Sequence, residues 1–280
     1  MHSRGGALRL LGPLEAFRRS GLRRQPCEPN RVAAAPLGLK VFGFVNSGTL
    51  YAITAEHNRK HSKTTGDIMN TINECAIAGI PCLRINPYIQ SKDTILLYHG
   101  WASNIGDYIF FGSLISNWGY TVIIPELPYH GARDKSDYFD LSVLQQHYWN
   151  IVIQAVEEAS GLINELHARD KIVGVMGNSA GGFVAAGIFS KTLSIKFAIV
   201  MNGSCAWARF EEQICERDRR EPWMWIDKGL IEKLDPITSI ETIKNRSMLM
   251  LHGTEDTTIP IDSQRYFMAR FSWRGWANTI

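Results

Sequence analysis

The sequence predicts an α/β fold with a doubly wound, mainly parallel sheet and a small helical lid. From residue 68 onward, short apolar runs alternate with longer amphipathic stretches, which is the pattern of strands separated by helices. Several of these runs are apolar throughout, as expected for parallel strands that are buried on both faces. The 280 residues are enough for one sizeable domain, and no Pro/Ser-rich linker divides them.

Residues 1–65 are predicted to be a poorly ordered or spurious N-terminal extension ahead of a domain at 66–280. The first 24 residues carry six arginines and one acid, Glu15, which superficially resembles an organelle-targeting presequence. No apolar core with a small-residue cleavage site appears, so a secretory signal is not expected. Residues 39–54 predict a hairpin. His57 and His61 have the spacing of a metal clamp, but without a third ligand we interpret them as part of a solvated polar stretch.

Within the domain, predicted strands and helices follow one another in a regular order. Strands are predicted at 80–85, 94–98, 120–124, 172–176, 197–201 and 247–251. Helices are predicted from the cap Asn104 to about 118, from about 140 to 167, after a turn at 177–182, and from about 263 to 270. Ligands of such sheets bind beyond the carboxyl ends of the strands, so chemistry is expected in the loops after them.

The turn after the strand at 172–176 reads Gly-Asn-Ser-Ala-Gly-Gly and predicts a strand-to-helix elbow that carries a nucleophile, Ser179. In such an elbow the serine has a strained backbone, so its hydroxyl projects above the sheet. Gly177 and Gly181 fit this interpretation, because a Cβ at either position would collide where the chain doubles back. The competing interpretation is a glycine-rich turn with an idle serine.

Two earlier loops flank this elbow at the same predicted edge. After the strand at 94–98, the N–H of Trp101 could pair with the N–H of Ala180 to bind an oxyanion. His99, in the same loop, lines the pocket or braces the loop. In the loop at 125–134, Tyr129 and His130 are predicted to touch substrate or to shape the loop.

A carboxylate that follows the strand at 247–251 could hold a histidine in the correct tautomer. Asp256 is the predicted acid, with Glu255 as its nearest rival and a solvated turn carboxylate as the alternative. Between the last two strands, residues 204–238 mix aromatic and charged side chains, which predicts a helical lid with an apolar underside. Trp207, Trp223 and Trp225 would line an acyl or alcohol pocket there, unless the lid packs on the domain without touching substrate.

Three motifs in this order resemble the α/β-hydrolase superfamily: His99-Gly100-Trp101, Gly177-x-Ser179-x-Gly181 and His252-Gly253-x-x-Asp256-x-x-x-Pro260. The likeness covers roughly 75–268 and is closest to the single-domain bacterial branch related to dienelactone hydrolases and to the catalytic domain of prolyl oligopeptidases, peptidase family S9. The resemblance implies a serine hydrolase acting on carboxylic esters or on small amides and peptides. It also implies Ser179 as nucleophile, Asp256 as acid, and the backbones of Trp101 and Ala180 as oxyanion donors.

One departure from the family pattern concerns the general base. The family places a histidine after the acid, and none of the eight histidines here follows Asp256. We expect a truncated C-terminus that lacks the last strand and the histidine loop, which would impair this copy. The alternatives are a catalytically silent ligand-binding or interaction protein on the same fold, and recruitment of His130 or His99 as base.

The amino-acid composition indicates which binding partners and which cellular compartment to expect. The 45% hydrophobic content and formal net charge of +3 give no reason to expect nucleic acid or a membrane as partner. The partner that the family resemblance implies is a small-molecule ester or amide substrate. No apolar stretch of about 18 residues predicts a membrane span. No metal or organic cofactor is implied. The odd number of cysteines favours reduced thiols and a cytoplasmic setting; they are Cys27, Cys75, Cys82, Cys205 and Cys215.

Overall fold

The computed structural model describes residues 39–44, 70–134, 137–221 and 227–272. Residues 39–280 form one unit, and residues 1–38, which form another, lie outside the described part. Eight described strands form one sheet: β1 Leu39–Phe44, β2 Thr71–Ile77, β3 Ile80–Asn86, β4 Asp93–Tyr98, β5 Thr121–Pro125, β6 Lys171–Asn178, β7 Phe197–Met201 and β8 Ser247–Gly253.

Seven α-helices are described: α1 Ile109–Ser116, α2 Leu141–Leu166, α3 Ala180–Lys191, α4 Trp207–Asp218, α5 Lys228–Leu234, α6 Ile240–Ile243 and α7 Asp262–Ser272. Short 3₁₀ helices precede α1 at Ile105–Tyr108 and α6 at Pro236–Ser239. As predicted, Asn104 caps the first of these, and its side chain accepts a hydrogen bond from the Gly106 N–H. Each described helix is too short or too polar to span a membrane.

The strand order is β1-β8-β7-β6-β4-β5-β3-β2. The five central strands run parallel, whereas β1, β2 and β3 pair antiparallel at the two edges. This arrangement confirms the predicted doubly wound, mainly parallel sheet. The predicted strands overlap β3 to β8, and β2 is an additional edge strand that the sequence pattern did not reveal.

Helices cover both faces of the central strands. On β4, Leu96 and Tyr98 belong to a large core shared with α2, α3 and α4, while Ile95 and Leu97 belong to a smaller core shared with α1. Alternate residues of a strand point to opposite faces, so two buried faces require a run that is apolar throughout. The sheet is therefore a rigid floor, and the loops after β4 to β8 lie together at its carboxyl edge.

Strand β1 pairs antiparallel with β8, from Leu39 opposite Gly253 to Phe44 opposite Met248. It lies inside the segment that the sequence assigned to a poorly ordered extension, so the described sheet begins upstream of residue 66. Its described partner is β8, and the second arm of the predicted hairpin, residues 45–54, lies outside the described part. Consequently β8 is not an edge strand of this sheet. The character of the rest of residues 1–65, the boundary of the lid and the predicted loss of C-terminal elements stay predictions.

Candidate active site

Ser179 stands at the junction of β6 and α3 with φ 55° and ψ −122°. Its N–H donates to the Met201 carbonyl at 2.9 Å, which ties the turn to β7. Its side chain is half-buried, and no described side chain hydrogen-bonds to its hydroxyl. A non-glycine residue with this backbone is strained, and such strain persists only where the surrounding structure holds it. The predicted elbow is thus present as a local structure, and the role of Ser179 as nucleophile stays a prediction.

Two glycines make this turn possible. A Cβ on Gly177 would lie 1.9 Å from the Gly181 carbonyl oxygen, and a Cβ on Gly181 would lie 2.3 Å from the Tyr98 carbonyl oxygen. Both contacts involve backbone atoms that cannot move aside. The glycines of the motif are therefore needed for the close approach of α3 to β6 and β4.

Four of the loops at this edge contain a non-glycine residue with positive φ. Ala102 (60°), Tyr129 (57°), Ser179 (55°) and Asn202 (44°) follow β4, β5, β6 and β7 respectively. Strained residues of this kind concentrate at functional sites more than elsewhere. Their placement marks the carboxyl edge of the sheet as the candidate site.

The two predicted oxyanion donors lie on neighbouring segments. Ala180 is the first residue of α3, where backbone N–H groups have no partner within the helix. Within the described residues, neither the Ala180 N–H nor the Trp101 N–H has a hydrogen-bond acceptor. Gly100, which precedes Trp101, packs against the elbow, since a Cβ built on it would lie 3.4 Å from the Ser179 Cβ. Both N–H groups are thus free to bind a substrate oxygen, and this role stays a prediction.

His99 is fully buried and braces the first loop. Its Nδ1 lies 3.0 Å from the Gly100 carbonyl oxygen, and its Nε2 accepts the Leu127 N–H at 3.0 Å. Glu126 Oε1 also lies 3.0 Å from Nε2, but it has no hydrogen bond, because a neutral imidazole that donates from Nδ1 has no hydrogen on Nε2. Both ring nitrogens are engaged, so His99 has none to offer as a base.

His130 braces the second loop in the same way. Its Nδ1 lies 2.8 Å from the Pro128 carbonyl oxygen, and its Nε2 accepts the Ala102 N–H at 3.3 Å. The ring stacks on Tyr138 with centroids 4.5 Å apart. Burial lowers the pKa of His130 to about 4, so the ring is neutral at pH 7. Recruitment of His99 or His130 as base, one of the predicted alternatives, therefore does not fit the structure.

The side chains that were predicted to line a substrate pocket separate into three groups. His99, His130 and Trp207 are fully buried, so they belong to the interior and not to a pocket wall. Trp207 packs on Trp149 and lies over Gly187 in the main core. Tyr129 is 40% exposed and does face solvent at the edge. Trp223 and Trp225 lie outside the described residues.

Asp256 lies in the turn after β8, two strands away from the strand that leads to Ser179. Its Oδ1 accepts the N–H groups of Thr258 and Ile259, both at 2.9 Å, and its side chain is 19% exposed. Its Oδ2 lies 3.8 Å from Nε2 of His252, beyond hydrogen-bond distance. His252 is fully buried, and its Nε2 lies 2.7 Å from the Ile259 carbonyl oxygen. Because Oδ1 is engaged within the turn, Oδ2 is the oxygen with which Asp256 can orient an imidazole. Glu255, the predicted rival to Asp256, is exposed.

Tyr108, which no sequence pattern singled out, has a hydroxyl that joins two of the site's segments. It accepts the Gly100 N–H and the Asn178 Nδ2–H, both at 3.2 Å. The only sequence signal for its position was the cap at Asn104, which starts the helical turn that returns residue 108 to the loop. An isolated tyrosine in an apolar helix otherwise looks like a packing residue.

The predicted lid begins with α4, whose underside packs on the domain. Phe210 contacts Phe183 at 4.8 Å between ring centroids. Glu211 accepts the indole N–H of Trp149 at 2.9 Å and a hydrogen bond from Arg220 at 2.8 Å. Burial alone would raise the pKa of Glu211, but these two hydrogen bonds lower it. Within the described residues, the lid therefore behaves as a packed element.

Two surface clefts lie away from Ser179. One, of about 390 Å³, lies between the β2–β3 turn and α2, next to Arg133 and Glu158. The other, of about 400 Å³, lies between α4 and α7 and is bordered by Asp235 and Tyr266. Neither includes the elbow. In the described part of the chain, no group of three or more His, Cys, Asp or Glu side chains is placed to hold a metal ion.

Comparison with known proteins finds a matching family model and two relatives that are named as an esterase and a putative esterase. The family model described as "Prolyl oligopeptidase family" matches residues 111–276. The chain is 26% identical over 207 residues to "Esterase YjfP" of Escherichia coli (strain K12), which covers 69% of this chain and 82% of that protein. It is also 26% identical over 215 residues to "Putative esterase YitV" of Bacillus subtilis (strain 168), covering 71% and 83%.

Solved structures show the same fold. TT1662 from Thermus thermophilus has a TM-score of 0.56 at 18% identity, with 72% of this chain and 83% of that chain covered. Acylaminoacyl peptidase from Pyrococcus horikoshii has a TM-score of 0.55 at 19% identity, with 74% of this chain and 36% of that chain covered.

Proposed function

This chain belongs to the prolyl oligopeptidase family and has the α/β-hydrolase fold, and from that premise we propose that it hydrolyses carboxylic esters or small amides through an acyl-enzyme on Ser179. The two curated relatives are named as esterases, which favours esters as the first substrates to test. Fold alone does not determine an activity, so the proposal depends on the geometry at Ser179.

The observation that carries the proposal is the strained, half-buried Ser179 beside two free backbone N–H groups. Its hydroxyl has no described partner, and its φ of 55° holds it at the tip of the turn. The N–H groups of Trp101 and Ala180 lack acceptors among the described residues. An idle serine in a glycine-rich turn would not require a strained backbone beside unpaired donors.

In the proposed reaction, Ser179 Oγ attacks the carbonyl carbon and its proton passes to a base. The carbonyl oxygen becomes an oxyanion that accepts hydrogen bonds from Trp101 and Ala180, and each such donor contributes about 3 kcal/mol in the transition state. Collapse of the intermediate releases the alcohol or amine, which takes the proton from the base. Water then attacks the acyl-enzyme and releases the acid.

Asp256 is proposed to orient the base through Oδ2. The 280-residue sequence has no histidine after Asp256, and His99 and His130 have no free ring nitrogen. Without a positioned base the serine hydroxyl is a poor nucleophile, so we expect turnover by these 280 residues to be low.

A second candidate is a catalytically silent ligand-binding or interaction protein on the same fold. The observation that favours it concerns His252, the nearest described histidine to Asp256. His252 is fully buried and its Nε2 is bonded to the Ile259 carbonyl group, so it is not placed to act as the base. Binding without serine chemistry would require only the free backbone N–H groups of Trp101 and Ala180 and the loops around them.

Labelling with a fluorophosphonate probe and hydrolysis of p-nitrophenyl acetate separate these candidates. The parent chain is compared with Ser179→Ala and with Ser160→Ala, a control serine exposed on α2. The proposal expects labelling at Ser179 that is lost in Ser179→Ala and kept in Ser160→Ala. Equal labelling of all three proteins would refute it, and ligand binding without any labelling would favour the silent protein.

A further inference from the structure

Two cysteines of the β2–β3 hairpin lie directly opposite each other. The strands pair antiparallel, with Cys75 opposite Cys82 and a turn at Ala78 and Gly79 between them. Residues paired in this way have their side chains on the same face of the sheet. Cys82 belongs to the main core and Cys75 packs against it, which agrees with a shared face. The fold thus places two free thiols side by side.

The register also indicates how far apart the two backbones are. Pro81 has no N–H, so the pair of Ala76 and Pro81 cannot exchange two hydrogen bonds. Because the two kinds of pair alternate along an antiparallel ladder, Cys75 and Cys82 form a hydrogen-bonded pair, with Cα atoms about 5.5 Å apart. Disulfides most often have a Cα separation of about 5.5–6 Å. Only the Cβ atoms, about 4.5–5.5 Å apart in such pairs, must approach by about 1 Å for a bond to form.

The two thiols differ in exposure. Cys82 is 1% exposed, and its thiol donates to the Ile80 carbonyl group at 3.3 Å, whereas Cys75 is half-buried. Burial raises the pKa of Cys82 to about 12. Burial also raises the pKa of Cys75, and the nearby charge of Arg84 partly offsets that rise. Cys75 is therefore the thiol that an oxidant can reach, and Cys82 is the thiol that completes the bond.

Strand β3 also supports the loop after β5, which borders the candidate active site. Cys82 lies opposite Pro125 in the pairing of β3 with β5. The Pro81 carbonyl oxygen accepts the Glu126 N–H at 2.9 Å, just where the loop at 125–134 begins. A covalent link between β2 and β3 would therefore stiffen the strand on which this loop is held.

We propose that Cys75 and Cys82 form a reversible disulfide when the protein meets a small-molecule disulfide such as oxidised glutathione. The Cys75 thiolate attacks one sulfur of the oxidant, which forms a mixed disulfide and releases one thiol. Cys82 then attacks the Cys75 sulfur and releases the second thiol. The protein loses two electrons and two protons, which reduce one oxidant molecule to two thiols. This dithiol site is independent of the proposed function of Ser179.

Mass spectrometry after alkylation tests the proposal. The reduced native protein is exposed to oxidised glutathione at about pH 8.5, near the ordinary pKa of a thiol. It is then unfolded in an alkylating reagent and digested with trypsin, which leaves both cysteines in the peptide 64–84. This peptide should lose two hydrogens and escape alkylation, and dithiothreitol should restore both thiols.

Two other buried thiols serve as controls within the same chain. Cys205 and Cys215 contact Met248 and Glu211 respectively. Each should remain open to alkylation for about ten times longer or more than the peptide 64–84, because burial protects a thiol that has no reachable partner.

Single substitutions separate the two steps. Cys82→Ser leaves Cys75 without a second thiol, so Cys75 should accumulate as a mixed disulfide with glutathione. Cys75→Ser leaves only the buried thiol, so modification of the peptide 64–84 should slow by about tenfold or more. Near-UV circular dichroism checks the fold of each variant. If the serine at position 82 disturbs the core, Cys82→Ala repeats the measurement without a buried hydroxyl.

Three results would overturn the proposal. The first is a peptide 64–84 that alkylates at both cysteines after exposure to the oxidant. The second is a link between two chains, seen as a dimer on a non-reducing gel. The third is a rate of disulfide formation that rises with urea in proportion to the unfolded fraction, because the native pairing would then not be what joins the thiols.

Discussion

Three buried histidines hydrogen-bond the backbone of loops that carry the proposed chemistry. His99, His130 and His252 each follow or end a strand at the carboxyl edge, and each holds a backbone carbonyl or N–H group. A neutral imidazole is suited to this because it has one donor and one acceptor on a rigid ring. A histidine near a predicted nucleophile is therefore evidence of a general base only after the hydrogen-bond partners of both ring nitrogens have been identified.

The first prediction concerns the pH dependence imposed by His130. Its folded-state pKa of about 4 lies below its ordinary value of 6.5, so its contribution to stability is complete above pH 6.5 and is lost as the pH falls toward 4. The loss should reach at most about 3 kcal/mol. Urea unfolding at pH 7 and pH 5 measures it. His130→Asn, which can still donate to Pro128, should show a smaller difference between the two pH values, and an unchanged difference would contradict the assignment.

The second prediction concerns the space beside Ser179. Gly100→Ala places a methyl group 3.4 Å from both the Asn178 carbonyl oxygen and the Ser179 Cβ, which is ordinary van der Waals contact. Folding should be affected by less than about 1 kcal/mol, while the labelling rate falls at least tenfold because the methyl group occupies the substrate's place. Gly161→Ala on α2 serves as the matched control, because a Cβ there would make only an ordinary contact, 3.7 Å from the Ala78 Cβ. Labelling at the parent rate would mean that substrate does not enter there.

Among the elements, the lid depends on a buried carboxylate. Asp235 is 1% exposed and accepts the N–H groups of Trp207 and Ala208, both at 2.9 Å, so it fixes the start of α4. It also accepts the Ile237 N–H and starts the 3₁₀ helix that follows. One side chain thus joins the two ends of the predicted lid, whose central residues 222–226 lie outside the described part.

The third prediction follows from the pKa of this carboxyl. Burial raises the pKa of Asp235 to about 6, above its ordinary value of 3.8. The contribution of this group is therefore complete below pH 3.8 and is lost as the pH rises through about 6. This trend opposes that of His130 over the same interval. Asp235→Asn should be less stable overall, but its stability should rise more steeply between pH 4 and pH 6 than that of the parent. A slope equal to the parent's would show that Asp235 is ionised throughout.

At the scale of the whole molecule, the sequence was sufficient to predict the structure wherever a local steric rule or a periodic pattern applied. The run 94–98 is apolar because β4 is buried on both faces, and the glycines at 177 and 181 are required by backbone contacts. Motif order was also enough to predict the α/β-hydrolase fold, which the structure confirms. The catalytic roles of Ser179, Asp256, Trp101 and Ala180 remain predictions.

What the sequence did not reveal depends on contacts between distant residues. Trp207 is buried against Trp149, and the His130 ring is held by hydrogen bonds with the Ala102 N–H and the Pro128 carbonyl group. The Tyr108 hydroxyl is held in position by hydrogen bonds from Gly100 and Asn178. No periodic pattern encodes such pairings. The pairing of β1 with β8 was likewise hidden, because the two strands lie more than 200 residues apart in the sequence.

The fourth prediction tests whether β1 completes the sheet. Neighbouring residues of a strand point their N–H groups to opposite sides, so only one of Val41→Pro and Phe42→Pro removes a hydrogen bond to β8. That variant should lose about 1 to 3 kcal/mol of stability and aggregate more readily, while the other should change little. Each is the control for the other. Equal, small effects in thermal unfolding would show that β8 does not need this partner.

The pairing of β1 with β8 has a consequence for synthesis on the ribosome. Residues 39–44 leave the ribosome about 200 residues before their partner at 247–253. During translation the first strand must wait, unpaired, while the central strands assemble without it. Contacts of such long sequence separation form slowly and leave aggregation-prone edges exposed, so a nascent chain of this protein should depend on chaperones until β8 has emerged.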